Sequence, residues 1–412
     1  MVDTTLTEDH DRGRMGRRRR PVAMVTHSYY EEDPRVRREA EAVLAGGREV
    51  DVFALRRPGD PDTGEVAGVR VRRLDVQRHQ GASLWVYLAE YLEFFVRAGL
   101  ALVAAQPRRR YGLVQVHTLP DFLAFAALPL RTVGVPVVLD LHEAMPEFFR
   151  SRFPRASNPL FHRLLVLQER WAIAASTVAL TVNDALRDRL VSLGVPAGKV
   201  HVVANSPSLA RFDPSRHPRR RFMEDGTLRI VYAGALTPTY ELEVAVEAVG
   251  RIVATRPSLP VCFDVYGRGD SAPALEARAE ALGIADRVVF HGRIPLEDVP
   301  AAVAAADVGL APTRRDRFTD VSLSTKIYEY AAMRKPVVAS RLPMVERTFP
   351  AGTVTTYEPG NAEDLATGIL RLVDDPLARE AVVARTIELV REASWERESE
   401  RYLALIERLA RG

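Results

Sequence analysis

Residues Ser324 to Ser340 read STKIYEYAAMRKPVVAS, and this stretch decides the fold of the half that contains it. Ser322, Ser324 and Thr325 are good N-cap types ahead of residues that favour helix, and Pro336 ends the helix and opens an apolar run, so the segment reads as loop, helix, strand. A helix start offers unpaired N–H groups and the positive end of a dipole, which favour a phosphate, and Lys326 adds a full charge there. Glu329 lies three residues on, on the same helical face, where a carboxylate can accept hydrogen bonds from two ribose hydroxyls. The spacing equally suits a surface Lys–Glu pair, so the neighbouring elements must decide.

Outward from this point, short β-branched runs alternate with longer helical patterns, the signature of βαβ units and a parallel sheet. The second half carries such runs at Leu228–Gly234, Val261–Tyr266, Val288–Gly292, Val308–Ala311, Pro336–Ser340 and Thr353–Tyr357. The first half carries them at Val22–Thr26, Val50–Ala54, Val69–Leu74, Leu113–His117, Val135–Leu141, Val178–Val182 and Val200–Ala204. Helical patterns lie between them at Val36 to Leu44, Phe161 to Ala175 and Leu242 to Val253, so helices should cover both faces of each sheet. Pro207 to Gly226 breaks the alternation with three prolines and a basic cluster, and reads as an interdomain linker. The expected organisation is a disordered basic tail (1–20), a first doubly wound α/β domain (21–206), the linker (207–226), a second such domain (227–390) and a terminal helix (391–412). Tyr402, Leu403, Leu405, Ile406 and Leu409 give that helix an apolar face that could cross back to the first domain. Ligands in such sheets bind at the carboxyl ends of the strands, which places the site in a cleft between the domains.

The chain has 412 residues, 47% hydrophobic and 27% charged, with a net charge of +3, which fits a soluble protein of two domains. The one cysteine, Cys262, sits in an apolar run and excludes an internal disulfide, so a cytoplasmic setting and a core position are expected. Basic runs at Arg17 to Arg20, Arg108 to Arg110 and Arg219 to Arg221 read as solvated tail and loops, or as peripheral contact of the N-terminal half with anionic lipid at the inner membrane face. No aromatic platform is interleaved with them, so nucleic acid is not an expected partner. Leu84 to Ala105 is interrupted by Glu90, Glu93 and Arg97 and is not a membrane span. Its Trp85, Tyr87, Tyr91, Phe94 and Phe95 suit a helix packed on a sheet, or one docked on a membrane surface.

Each strand of the second half ends in a turn that admits close approach: Gly234-Ala-Leu236, then Tyr266-Gly267-Arg268-Gly269, then His291-Gly292-Arg293, then Asp307 to Pro312. The first half contributes Asp33-Pro-Arg-Val-Arg-Arg-Glu-Ala, Val116-His117-Thr-Leu-Pro-Asp121 and Leu139-Asp-Leu-His142-Glu143. In this order and spacing the motifs resemble the retaining family 4 glycosyltransferases, also called glycosyl transferases group 1, over roughly Val22 to Leu409. The resemblance implies the GT-B fold, two Rossmann-like doubly wound parallel-sheet domains facing a cleft. It implies transfer of a hexose-type sugar from a nucleotide diphosphate sugar, UDP- or GDP-linked, to a hydroxyl of a glycan, lipid-linked glycan or small-molecule acceptor.

By that resemblance Glu329 holds the ribose, while Ser324, Thr325 and Lys326 hold the diphosphate. Gly234, Leu236, Gly267, Gly269, Gly292 and Arg293 border the rest of the donor. Ser28, Tyr29, Arg35, His117 and Asp121 line the acceptor side, and His142 faces the donor sugar. His142, Lys326 and Glu329 would be the catalytic set. Leaving-group charge would fall to Lys326, with Arg293 as a second cation. Two departures stand out: Val321 occupies the place of a usual glutamate, and Thr237 to Glu241 replaces the usual basic loop. No essential metal or cofactor is expected, since neither His-Glu-x-x-His nor a cysteine cluster is present. Glu143, next to His142 on a strand, would point to the opposite face, which disfavours a covalent intermediate. A non-hydrolysing nucleotide-sugar epimerase and a non-catalytic sugar-nucleotide-binding protein share this architecture and stand as alternatives.

Overall fold

The computed structural model describes residues 19–77, 84–153, 158–218 and 220–411. Residues 1–18 of the expected tail and Arg219 of the third basic run lie outside the described residues. The end of that tail is anchored: Arg19 donates to the Gly46 carbonyl at 2.6 Å, and Arg48 to the Arg20 carbonyl at 2.9 Å.

The first sheet has eight strands: β1 (Val22–Val25), β2 (Val50–Leu55), β3 (Thr63–Val66), β4 (Val69–Leu74), β5 (Leu113–His117), β6 (Val137–Leu141), β7 (Val178–Thr181) and β8 (Val200–Val202). Their order is β3-β4-β2-β1-β5-β6-β7-β8, and all neighbours are parallel except β3 and β4. The second sheet has six: β9 (Leu228–Ala233), β10 (Val261–Tyr266), β11 (Val288–Gly292), β12 (Val308–Ala311), β13 (Val337–Ser340) and β14 (Thr355–Tyr357). It is wholly parallel in the order β11-β10-β9-β12-β13-β14. In both sheets the chain order reverses beside the first strand, between β1 and β5 and between β9 and β12, where the loops diverge and leave a crevice.

The antiparallel β3 has no counterpart in the sequence reading. Its residues are exposed or half-buried, and the hairpin turns through Ala67 and Gly68, both at positive φ, without the Asn-Gly signature of such turns. Cys262 is not a core residue. Burial alternates along β10, so Cys262 and Asp264 share its half-covered face.

Two apolar layers sandwich the first sheet. On one face Phe94, Ala98, Leu102 and Ala105 of the helix Leu84–Arg109 pack with Leu123, Leu130, Ala172 and Ile173. Of that helix's five aromatic residues only Phe94 is fully buried, and Trp85 is 77% exposed. On the other face the helix Pro34–Ala45 meets Trp395, Tyr402, Leu405 and Ile406 of the last helix, Trp395–Ala410. The chain therefore ends against the first sheet, held by the Arg48–Glu407 pair at 2.6 Å. The linker is packed as well: Phe212 is buried in the second domain, and the Glu396 carboxylate accepts from the amides of Leu209 and Ala210. Among the described residues no helix is long and apolar enough to cross a membrane.

The loops after β9 and β10 interlock. A Cβ on Gly267 would lie 1.7 Å from the Gly234 carbonyl oxygen, and Gly267 has φ +147°. Gly267→Ala is therefore expected to lower stability by about 2 kcal/mol or more, read as a reduced urea midpoint with an unchanged slope.

Candidate functional site

The helix Thr325–Ala332 is the C-terminal wall. Ile327, Tyr330 and Ala331 are buried in the core and fix its roll. Tyr330 lies against Gly309, where a Cβ would sit 2.4 Å from the ring, and its hydroxyl accepts from the Ala233 amide at 2.9 Å. This roll turns Lys326 toward the end of β9. The Lys326 side chain is 8% exposed, its Nζ 4.0 Å from the Tyr240 ring centroid and 5.2 Å from that of Tyr232. A Cβ on Gly234 would come within 2.3 Å of the Lys326 Cε, so the glycine makes room for the lysine. Two aromatic faces attract the ammonium and offset part of the hydration it loses. Tyr240 belongs to the loop that lacks the usual basic residues, so an aromatic ring stands where further cations were expected.

Ser324 sits at the N-cap position, yet its buried hydroxyl makes no hydrogen bond to the helix or to any other described group. As at any helix start, the first amides have no intrahelical acceptor. Glu329, half-buried, faces the charges of Lys326, Arg211 and Arg38; burial pushes its carboxyl above the usual range against their pull.

The opposite wall is built at the ends of β5 and β6. The His117 Nδ1 and His142 Nε2 are 3.2 Å apart, with the ring planes 4° apart, the geometry of an N–H···N hydrogen bond between rings. The Asp140 Oδ2 lies 3.1 Å from the former and 3.4 Å from the latter. The Gln115 amide donates to Asp140 at 3.1 Å and to Glu39 at 2.6 Å, and the Tyr402 hydroxyl donates to the Gln115 carbonyl oxygen at 2.6 Å. A buried polar chain thus runs from the last helix to His142. Burial and the charge of Asp140 push Glu39 well above the carboxylate range. Burial opposes ionisation of Asp140, but His142 and His117 override it and hold that carboxyl below its usual range. Burial, then Arg35 and His117, keep His142 neutral against the pull of Asp140. Among the described residues His117, Asp140 and His142 are also the one group with the donor types and spacing to hold a metal ion.

Between the walls lies a cavity of about 660 Å³. Arg35, His142, Glu143, Asn183 and Asn205 line it from the first domain, and Thr237, Tyr240, Thr313, Thr319, Ser324 and Tyr328 from the second. Of the expected site residues it gathers Arg35, His142 and Ser324 directly, with Lys326 behind Tyr240. His117 is fully buried behind His142. Ser28 bonds Thr26 at 2.8 Å, and Tyr29 lies under Arg57, so neither reaches the cavity.

Asp121 is not a cleft residue. It is fully buried beneath the sheet near Glu169, Arg189 and Glu147, and burial, then Glu169, push its carboxyl well above the usual range. Arg293 is not among the residues that line the cavity and forms an ion pair with Glu32 of the first domain. Gly269 packs on Leu236, so Gly234, Leu236, Gly267 and Gly269 serve loop-to-loop contact, while Gly292, at φ +70°, borders open space. Glu143 does line the cavity: β6 ends at Leu141, so strand alternation no longer fixes where Glu143 points. Tyr240, Asn205, Thr313 and Tyr328 carried no sequence signal beyond their place at strand and helix ends.

Further contacts join the domains around this space: Arg37–Glu297 at 2.7 Å, Arg152–Asp270 at 2.5 Å, Ser151 to Asp316 at 2.5 Å, and Asn183 to the Val321 carbonyl at 3.0 Å. Position 321 thus serves the domain contact through its backbone, whatever its side chain.

An unfolded histidine titrates near pH 6.5, whereas His142 stays neutral in the fold well below that. On acidification the unfolded chain binds the proton first, so stability is lost as the pH falls below about 6.5. His142→Asn is expected to show a shallower loss of Tm between about pH 6.5 and pH 5 than the parent chain.

The family descriptions "Glycosyl transferase 4-like domain" and "Glycosyl transferases group 1" match residues 32–206 and 227–375. The 2-deoxystreptamine glucosyltransferase of Streptomyces kanamyceticus is 28% identical over 283 residues, covering 65% of this chain and 70% of that protein. Sucrose-phosphate synthase from Thermosynechococcus elongatus superposes with a TM-score of 0.76 at 19% identity, covering 95% of this chain and 99% of that one. Anabaena HepE, solved with UDP and glucose, superposes with a TM-score of 0.69 at 14% identity, covering 94% and 99%. With two parallel-sheet domains in the GT-B arrangement and both halves matched, this chain belongs to the family 4 glycosyltransferases, the glycosyl transferases group 1.

Proposed function

We propose that the chain transfers a hexose-type sugar, with retention of anomeric configuration, from a nucleoside diphosphate sugar to a hydroxyl of a glycan, lipid-linked glycan or small-molecule acceptor in the cytoplasm. The observation that carries this reading is the start of the helix Thr325–Ala332. A hydroxyl without a partner at Ser324, the first-turn amides and the enclosed Lys326 ammonium meet beside a cavity whose far wall is His142 and Glu143. A departing diphosphate gathers charge as the sugar acquires oxocarbenium character. Amide dipoles and a fixed cation stabilise that charge without reorganising. Glu329, three residues along, is the acceptor for ribose hydroxyls. Neutral His142 can donate one hydrogen bond to the donor sugar from Nδ1 in the tautomer whose Nε2 accepts from His117. The reading requires no essential metal. UDP, bound in the HepE structure, is the first donor nucleotide to try.

Retention is read as front-face departure and attack, without a covalent intermediate. Glu143 reaches the cavity and is the carboxylate that could contradict this. Glu143→Gln is expected to keep turnover within about tenfold of the parent; a loss of three or more orders of magnitude, restored by azide with inversion of the product anomer, would mark a covalent nucleophile. Lys326→Ala is expected to lower kcat at saturating donor by about 10²- to 10³-fold, as removal of one preorganised electrostatic group does. His142→Ala should reduce turnover more than it weakens nucleotide binding, and equal losses would deny it a role in the transfer step. The direct test of the reaction is nucleoside diphosphate release with an acceptor panel, and the anomeric configuration of the product by NMR.

A further inference from the structure

The helix Leu84–Arg109 is apolar on two faces. One, Phe94, Ala98, Leu102 and Ala105, is buried on the sheet. The other runs through Trp85, Leu92, Val96, Leu100 and Val103 at helical spacing and faces outward, with Trp85 77%, Leu92 56% and Leu100 67% exposed. A helix apolar all round belongs in an interior, yet this one forms the outer layer of the domain.

The helix Pro159–Ala175, on the same side of the sheet, repeats the arrangement. Ala172 and Ile173 are buried, while Leu160, Leu164, Leu167 and Trp171, at steps of four, three and four, stand out, with Leu164 53% and Trp171 59% exposed. The two helices flank the segment Asp121–Thr132, whose end carries the exposed Val133. These ten positions, with Val86, account for most of the large exposed apolar residues among the described part of the chain. A concentration of this kind marks an interaction surface.

Charge selects the occupant. The exposed ionic side chains of the two helices are Arg97, Arg108, Arg163 and Arg170, against one exposed acid, Glu93, which Arg97 already engages at 2.8 Å. Beside Trp171 opens a recess of about 360 Å³ lined by Leu167, Arg170 and Lys199, apolar within and cationic at its edge. The face also adjoins the cleft. Tyr87 meets Phe153 with centroids 5.9 Å apart and Phe149 meets Phe161 at 4.8 Å, which ties the N-terminal ends of both helices to the helix Met145–Arg152. Phe148 of that helix lines the cavity.

We propose that the outer face of the helices Leu84–Arg109 and Pro159–Ala175 docks on an anionic lipid surface, with the apolar stripes entering the interface and Arg97, Arg163 and Arg170 meeting lipid phosphates. Docked this way, the segment that carries Phe148 of the cavity wall is held against the two lipid-bound helices. The contact surface is this pair of helices, and it stands whether or not the acceptor carries a lipid.

The test is sedimentation of the full chain with phosphatidylcholine vesicles, with and without phosphatidylglycerol, for the parent and for Leu164→Glu/Trp171→Glu and Arg163→Ala/Arg170→Ala. Thermal melts confirm folding, and light scattering reports association of copies. The chain is expected to sediment with the anionic vesicles. The glutamate pair should lower its partition by at least about tenfold, and the alanine pair by about fivefold per charge removed. No sedimentation, equal sedimentation of parent and glutamate variant, or equal binding to neutral and anionic vesicles would each overturn the proposal. Self-association abolished by the glutamate pair, without vesicle binding, would also overturn it and make the face an interface between copies. Should the glutamate variant not fold, the alanine variant and the lipid comparison decide alone.

Discussion

The enclosure of one ammonium group organises the second domain. Lys326 is nearly removed from water, and a buried cation persists only where something compensates the lost hydration. Here the compensation is the face of Tyr240 at 4.0 Å, that of Tyr232 beyond it, and the carboxylate of Glu329 one turn along. Each has a cost elsewhere in the fold. Gly234 must lack a side chain, Gly267 must lie against Gly234, and Tyr330 must fill the space above Gly309 so that the helix keeps its roll. The result is a helix start with fixed charge, facing a cavity, before any ligand arrives.

The first domain answers with a buried polar wall. Burial and neighbouring charges hold Glu39 above the usual carboxylate range, Asp140 below it and His142 below the usual imidazole range, and the two imidazoles and Gln115 surround the Asp140 carboxylate within hydrogen-bond reach. The last helix takes part in this wall: Tyr402 bonds Gln115 two steps from His142, although 260 residues separate it from that histidine in the chain. The return of the chain from the second domain to the first therefore does more than bury an apolar stripe. It makes the polar interior of the N-terminal half depend on the C-terminal end of the sequence.

Much of this was legible in the residues. The β-branched runs gave thirteen of the fourteen strands within a few residues of their ends, because the central parallel strands, buried on both faces, are largely apolar and the outer ones keep an apolar residue at alternate positions. The exception, Thr63–Val66, pairs at an exposed edge and carries no such run. Ser324, Lys326 and Glu329 were legible because helix starts have a chemical signature. The partner of Arg293 and the positions of Asp121 and Glu143 were not legible, since each depends on tertiary context. Arg293 finds Glu32 across the cleft, Asp121 is turned under the sheet, and Glu143 lies just past the strand that would have fixed its direction. Tyr240 was read only as the absence of a cation, because nothing in a sequence announces that a ring will lie over a lysine 86 residues away.

The central claim, a preorganised diphosphate site at the start of the helix Thr325–Ala332, is tested most directly by thermal unfolding with UDP, GDP, dTDP and ADP. At about 100 times the dissociation constant a nucleotide adds about 2.7 kcal/mol to the native state, which raises Tm by several degrees in a domain of this size. The account predicts such a shift with one of the four nucleotides, and its loss in Lys326→Ala. No shift with any of them, or an equal shift in the variant, would contradict it.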